Sequence, residues 1–192
     1  MSNSTSGERR RGATQLKTRV KILTSPIPYL SYSRFSDLHT KTVPLVLIDV
    51  REHEENSLST LPSAVHSSQA MQLIEQLQQR GNEFNVVCFC TVGFRSGLFA
   101  KSLVPNVQNV FNYSIMEHLW GGGTLVSPRG EQQPRVHVYH RNYMSVFPER
   151  YQMEVFGNMK ALMRGFGHLP GIISALSSRG RTPLVEEEPI GS

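Results

Sequence analysis

The amino-acid sequence predicts an α/β fold with a central parallel sheet that is covered by helices on both faces. Several short runs of branched apolar residues are continuous and do not alternate between apolar and polar residues as a half-exposed strand does. Continuous runs of this kind are typical of strands buried on both faces. Segments with helical spacing separate these runs, and the links between them are short. Strands and helices that alternate in this way form right-handed crossovers, and ligands bind such sheets at the carboxyl ends of the strands.

The predicted elements begin at residue 43. Strands are expected at residues 43–50, 64–66, 84–89 and 107–111. A helix over residues 68–80 is indicated by apolar positions at helical spacing and by Gly81, a residue that commonly ends helices. A second helix is predicted over residues 96–104, and Ser114 is suited to cap a third, shorter helix.

The composition excludes several classes of protein. The chain has 192 residues, of which 39% are hydrophobic and 18% are charged. It contains no apolar run of the roughly 18 residues that a membrane-spanning helix needs. The net charge is +5, but residues 43–128 hold more acidic than basic residues, which argues against a nucleic-acid-binding domain. Cys88 and Cys90 stand too close for an unstrained disulfide, so we expect a reduced, intracellular protein.

The two ends of the chain are expected to lie outside the domain, which is predicted at residues 19–128. Residues 1–18 are rich in Ser, Gly and Arg and are predicted to be a disordered basic tail. A cytoplasmic location is expected, with organelle import through this segment as the alternative. Residues 129–173 are predicted to be an extension with a helix that packs on the domain, and residues 174–192 a disordered tail. The apolar positions that indicate this helix are Met153, Phe156, Met159 and Met163.

The loop that leaves the third predicted strand carries the chemistry. Cys90 stands at the carboxyl end of this strand, where we expect a partly exposed thiol. Gly93 lets the loop turn its N–H groups inward, and Arg95 supplies a cation. The N-terminus of the next helix adds positive potential, which favours the thiolate form of Cys90. The residues that follow the cysteine in this loop are Thr91, Val92, Gly93, Phe94, Arg95 and Ser96.

Three segments of the chain together resemble a single rhodanese domain. They are residues 46–52, which end in Asp-Val-Arg-Glu, residues 61–65 with Leu-Pro-Ser-Ala-Val, and the loop at residues 86–96. The resemblance covers residues 43–126, and residues 136–141 are similar to a segment that follows the domain in some single-domain members. Residues 59–63 depart from the family, since they lack its Gly-His before the proline and the Gly after it.

The resemblance implies a rhodanese-like fold and a sulfurtransferase without a cofactor or metal. In such an enzyme the Cys90 thiolate attacks the outer sulfur of thiosulfate or a persulfide and passes it on to a thiol or cyanide. Backbone N–H groups of residues 91–96 would hold the terminal sulfur, and Arg95 would hold the anionic donor. Asp49 and Arg51 are supporting candidates, for which a salt bridge between loops is the simpler interpretation.

Two other functions are compatible with parts of the sequence. A cysteine phosphatase places its arginine six positions after the cysteine, whereas Arg95 follows Cys90 by five, so the shorter loop favours sulfur. A rhodanese-like module that binds a partner with weak or no catalysis remains an alternative, although it needs neither Cys90 nor Arg95. His137 and His140 could ligate a metal, but two ligands without a third usually have packing roles.

Overall fold

The computed structural model describes residues 5–81 and 83–155 of the chain. The helices are α1 (Ser6–Thr24), α2 (Tyr32–His39), α3 (His53–Leu58), α4 (Ser67–Gln79), α5 (Phe94–Leu103) and α6 (Ile115–Trp120), followed by a 3₁₀ helix at Arg141–Val146. The strands are β1 (Leu45–Asp49), β2 (Val65–His66), β3 (Asn85–Cys90), β4 (Val110–Ser114), β5 (Leu125–Val126), β6 (Gln132–Gln133), β7 (Arg135–His137) and β8 (Gln152–Glu154).

The first four strands form the predicted parallel sheet. Their order is β2-β1-β3-β4, and every pairing in this sheet is parallel. The last of these strands begins three residues later than predicted, because Asn106 and Val107 donate their N–H groups to Leu103 O and form a turn after α5. Ser114 caps α6 as expected, since its hydroxyl accepts the N–H of Glu117 at 3.0 Å.

The sheet is buried on both faces, as the continuous apolar runs predicted. Within β3, Val87 and Phe89 belong to one apolar cluster, whereas Val86 and Cys88 belong to the cluster on the other face. Cys88 therefore packs inside the core, and this burial raises the pKa of its thiol, with the nearby Cys90 adding to the effect. Cys90 thus lies at the end of β3, one of the two inner strands of this buried sheet.

The amino-terminal segment differs from the predicted disordered tail, because residues 6–24 form the long helix α1. Thr5 and Glu8 form a capping box at its start. Its buried positions include Ala13 and Val20, which lie on one helical face among basic and polar residues. Those scattered small and branched residues carried too weak a periodic signal to reveal the helix. None of the helices in residues 5–81 and 83–155 is long and apolar enough to cross a membrane.

The segment after the parallel sheet adds two pairs of short strands. The strands β5 and β6 pair antiparallel, and β7 and β8 pair parallel. Met153 lies in β8, so the prediction of a helix is wrong at this residue, which pairs with Val136. The remaining positions of that predicted helix, and the predicted tail at residues 174–192, lie outside the described residues. Phe147 and Val138 are fully buried in the apolar cluster that contains Val87 and Phe89, which we call the main apolar cluster. This extension therefore packs on the domain.

Candidate active site

Cys90 lies at the last position of the central strand, and the following loop curls back over its thiol. The backbone N–H of Gly93 points to Cys90 Sγ at 3.2 Å. Gly93 has φ +96°, in the left-handed region that favours glycine, and it is the N-cap of α5. This helix begins at Phe94, two residues earlier than predicted, so its first turn lies directly beside the thiol. One N–H group of the loop is therefore turned towards the sulfur.

Ser96 and Asn112 hold the loop in this shape. The Ser96 hydroxyl lies 3.4 Å from Cys90 Sγ and 2.7 Å from Asn112 Oδ1, and its single proton is best placed for the amide. The Asn112 side-chain amide in turn donates to Gly93 O at 2.8 Å. Both Ser96 and Asn112 are completely buried, so these bonds are shielded from water. Sequence reasoning did not single out Asn112, which reaches the loop from β4.

The expectation of a partly exposed thiol is wrong, because Cys90 is only 1% exposed. Residues that precede the sheet in the chain pack on the Cys90 loop. They come so close that a Cβ placed on Gly93 would lie 2.6 Å from Tyr29 Cε2 and 3.3 Å from Val20 Cγ1. Tyr29 is fixed there by a hydrogen bond of 2.6 Å between its hydroxyl and that of Ser114. Burial raises the pKa of Tyr29 well above its usual range, so the phenol stays protonated.

Arg95 lies in the first turn of α5 and is paired with a carboxylate of the protein itself. Its Nη1 donates to Glu55 Oε2 at 2.6 Å and its Nη2 to Glu55 Oε1 at 2.9 Å. Glu55, from α3, also lies 2.9 Å from Nδ1 of His137. Burial acts to raise the pKa of Glu55, but the hydrogen bonds from His137 and Arg95 outweigh it and hold this pKa well below its usual range. Glu55 was not among the site residues predicted from the sequence.

An aromatic ring covers the guanidinium of Arg95. The centroid of the Tyr139 ring lies 4.6 Å from the Arg95 Cζ atom. Tyr139 has φ +63°, which is strained for a residue with a side chain. His137 is the last residue of β7 and Tyr139 follows two positions later, so the segment that resembles a family extension contributes directly to the surroundings of the loop.

The other predicted binding residues take different positions. Val92 is buried in the main apolar cluster and Phe94 packs against that cluster, so their side chains serve the core. The Thr91 hydroxyl lies 3.3 Å from Glu55 Oε1. Residues 5–81 and 83–155 hold no group of three or more His, Cys, Asp or Glu side chains placed to bind a metal ion.

Asp49 and Arg51 form a completely buried ion pair beside the loops. Arg51 donates from Nε to Asp49 Oδ1 at 2.9 Å and from Nη2 to Oδ2 at 2.6 Å. Asn56 and Thr60 also donate to Asp49 Oδ2. Burial acts to raise the pKa of Asp49, but Arg51 and these hydrogen bonds lower it overall. The pair connects β1 with α3 and the segment that follows this helix.

Comparison with known proteins identifies the class of domain that this sheet and loop define. A family model of the rhodanese-like domain matches residues 33–115, which contain all four strands of the parallel sheet and the Cys90 loop. The chain therefore contains a rhodanese-like domain with the rhodanese fold, as the resemblance predicted.

The chain is similar among solved structures to a thiosulfate sulfurtransferase from Pseudomonas aeruginosa. The two share 14% sequence identity, with a TM-score of 0.43 over 88% of this chain and 32% of that chain. This chain thus spans about a third of the length of that protein. No curated protein matches the sequence.

Proposed function

We propose that the protein is a sulfurtransferase that carries sulfane sulfur as a persulfide on Cys90. The observation that carries this proposal is the 3.2 Å contact from the Gly93 N–H to Cys90 Sγ. Such a donor stabilises a thiolate, and it would do the same for the terminal sulfur of a persulfide. Residues 91–96 form the binding loop in this proposal, and Cys90 is the nucleophile.

Each half-reaction moves one sulfur atom. The Cys90 thiolate attacks the outer sulfur of a donor, a new S–S bond forms, and the donor's own bond to that sulfur breaks. The leaving group takes the bonding electron pair, so thiosulfate leaves as sulfite and a persulfide leaves as a thiolate. An acceptor thiolate or cyanide then attacks the outer sulfur, and the Cys90 thiolate is released.

A partner-binding module is the second candidate, and one observation favours it. Cys90 is only 1% exposed, so a substrate reaches its sulfur only if Tyr29 or neighbouring side chains move. A cysteine phosphatase receives less support. Its arginine must bind oxygens of the phosphate, whereas Arg95 already binds Glu55 with both Nη atoms.

Intact-mass spectrometry after incubation with thiosulfate, and separately with a small persulfide, tests the proposal. We expect a gain of one sulfur atom on a peptide containing Cys90. The gain should be absent in Cys90→Ser and retained in Cys88→Ser, the matched control two residues away. Labelling on Cys88 alone, or no labelling with either donor, would contradict sulfur transfer and favour the binding module. Efficient Cys90-dependent hydrolysis of an aryl phosphate would favour the phosphatase.

A further inference from the structure

We propose that Glu55 is a specificity-determining residue that cancels the charge of Arg95, so that the Cys90 site prefers a persulfide donor of low charge to the divalent anion thiosulfate. This inference rests on the proposed transfer of sulfur through Cys90. It concerns the choice of donor and leaves the nucleophile unchanged.

Arg95 and Glu55 form a bidentate ion pair. Both Nη atoms of Arg95 bind the two carboxylate oxygens of Glu55, at 2.6 and 2.9 Å. This fork-to-fork arrangement is the one in which a guanidinium binds the oxygens of a sulfonate or carboxylate ligand. A residue of the protein therefore takes the place that a thiosulfate oxyanion would need, and the pair carries no net charge.

Glu55 is also anchored by groups other than Arg95. The residue is 2% exposed, and its Oε1 lies 2.9 Å from His137 Nδ1 and 3.3 Å from the Thr91 hydroxyl. Displacement of Glu55 by an incoming anion would break these bonds and leave a buried carboxylate without its cation, which is strongly unfavourable.

Two further cations near the loop are Arg51 and Lys21. The ion pair of Asp49 and Arg51 is also neutral overall, and both of its side chains are buried. On the side of Tyr29, the Lys21 ammonium lies 5.9 Å from the ring centroid, but Lys21 is exposed and its charge is screened by salt. Arg95 and Arg51 are thus each paired with a carboxylate of the protein.

The two donors differ in how much charge they bring next to the neutral Arg95–Glu55 pair. Thiosulfate must bring two negative charges into a buried site next to the Cys90 thiolate, and it releases the dianion sulfite. Moving a charge out of water without a partner costs free energy. A neutral persulfide R–S–SH meets no such barrier: Cys90–S⁻ displaces R–S⁻, Cys90–S–SH forms, and the thiolate leaves with the electron pair and one negative charge.

The test compares loading of Cys90 in the full chain by thiosulfate and by the persulfide of 2-mercaptoethanol, which carries no other ionisable group. The rate constants are measured for the wild type and for Glu55→Gln, with Glu54→Gln as the control. Glu54 lies next to Glu55 in α3 but is exposed. We expect Glu55→Gln to raise kcat/KM for thiosulfate on the order of tenfold, the effect of one charge-assisted hydrogen bond made available. The persulfide rate should not rise.

A purely structural role of Glu55 predicts a different pattern. Damage to the site would lower the rates with both donors together, which would overturn the inference, whereas release of Arg95 raises only the thiosulfate rate. Glu54→Gln should leave both rates at the wild-type value. If neither donor loads the wild type, the proposed function itself fails. If both donors load it and thiosulfate is the better one, only the inference about Glu55 fails.

A measurement on the wild type keeps the inference testable if Glu55→Gln does not fold. An uncompensated cation would attract thiosulfate, and its loading rate would then fall steeply as the ionic strength rises. We expect a thiosulfate rate that stays flat or increases with salt, because the site has no net positive charge to screen. A steep decrease between low and physiological salt would overturn the inference.

Discussion

Replacement of Gly93 by alanine should destabilise the protein much more than the same replacement at Gly122. The two glycines have nearly the same φ angle, +96° and +95°. Placing a Cβ in this left-handed region costs about 1–2 kcal/mol at either position. At Gly122 that is the whole cost, since a Cβ there meets no described atom within 4 Å.

The cost at Gly93 includes a second contribution from overpacking. A Cβ at this position would lie 2.6 Å from Tyr29 Cε2, closer than real Cβ contacts allow, and 3.3 Å from Val20 Cγ1. Tyr29 cannot turn away without breaking its hydrogen bond to Ser114. Overpacking of this kind costs about 1–3 kcal/mol, so Gly93→Ala should lower the free energy of unfolding by about 2–5 kcal/mol in total.

Urea denaturation of both variants measures this difference, provided that the slope of the transition is unchanged. A double-mutant cycle with Tyr29→Ala isolates the overpacking, because removal of the ring relieves the contact but not the backbone strain. The expected coupling between Gly93→Ala and Tyr29→Ala is about 1–3 kcal/mol. Equal destabilisation at Gly93 and Gly122, or a coupling near zero, would refute the close packing of Tyr29 on the loop.

Two further predictions concern the buried polar groups of the site. Asn112→Ala should lower the free energy of unfolding by about 2–4 kcal/mol in urea denaturation, because Gly93 O loses its buried donor and the Ser96 hydroxyl loses the shorter of its hydrogen bonds to oxygen. As the control, Asn109→Ala removes an exposed side-chain hydrogen bond to Glu83 and should change the free energy of unfolding by less than about 0.5 kcal/mol. Similar losses in both variants would contradict this account. Because the fold lowers the pKa of Glu55, its contribution to stability is present above the unfolded value of about 4.3 and is lost as the pH falls through the folded value. Stability measured from pH 6 to pH 3 should therefore decrease less steeply in Glu55→Gln than in the wild type, and identical slopes would argue against the lowered pKa.

The parallel sheet could be predicted because its signal is local. Each strand is a short apolar run, and burial on both faces requires no knowledge of distant partners. The helix α1 could not be predicted, because its apolar face is narrow and its composition is that of a solvated tail. Helices of this kind are stabilised by what they pack on, and that surface exists only after the sheet has formed.

The candidate site likewise has residues that could be predicted from the sequence and residues that could not. Cys90, Gly93 and Arg95 lie within six residues, so the sequence alone indicates a nucleophile, a turn and a cation. The groups that control them come from elsewhere in the chain: Glu55 precedes Arg95 by 40 positions, and His137 follows Glu55 by 82. A spacing rule for one loop contains no information about such partners, so the charge of Arg95 could be predicted but not its neutralisation.

The segments that control the Cys90 loop lie largely outside the matched domain. The family model spans residues 33–115, whereas Val20 and Tyr29 precede it and His137 and Tyr139 follow it. The shared domain therefore supplies the thiol and the inward N–H group, while the flanking segments cover the thiol and hold Glu55 on Arg95. Since access and local charge determine which donor reaches a thiolate, two proteins with the same Cys90 loop but different flanks would be expected to carry out the same chemistry on different donors.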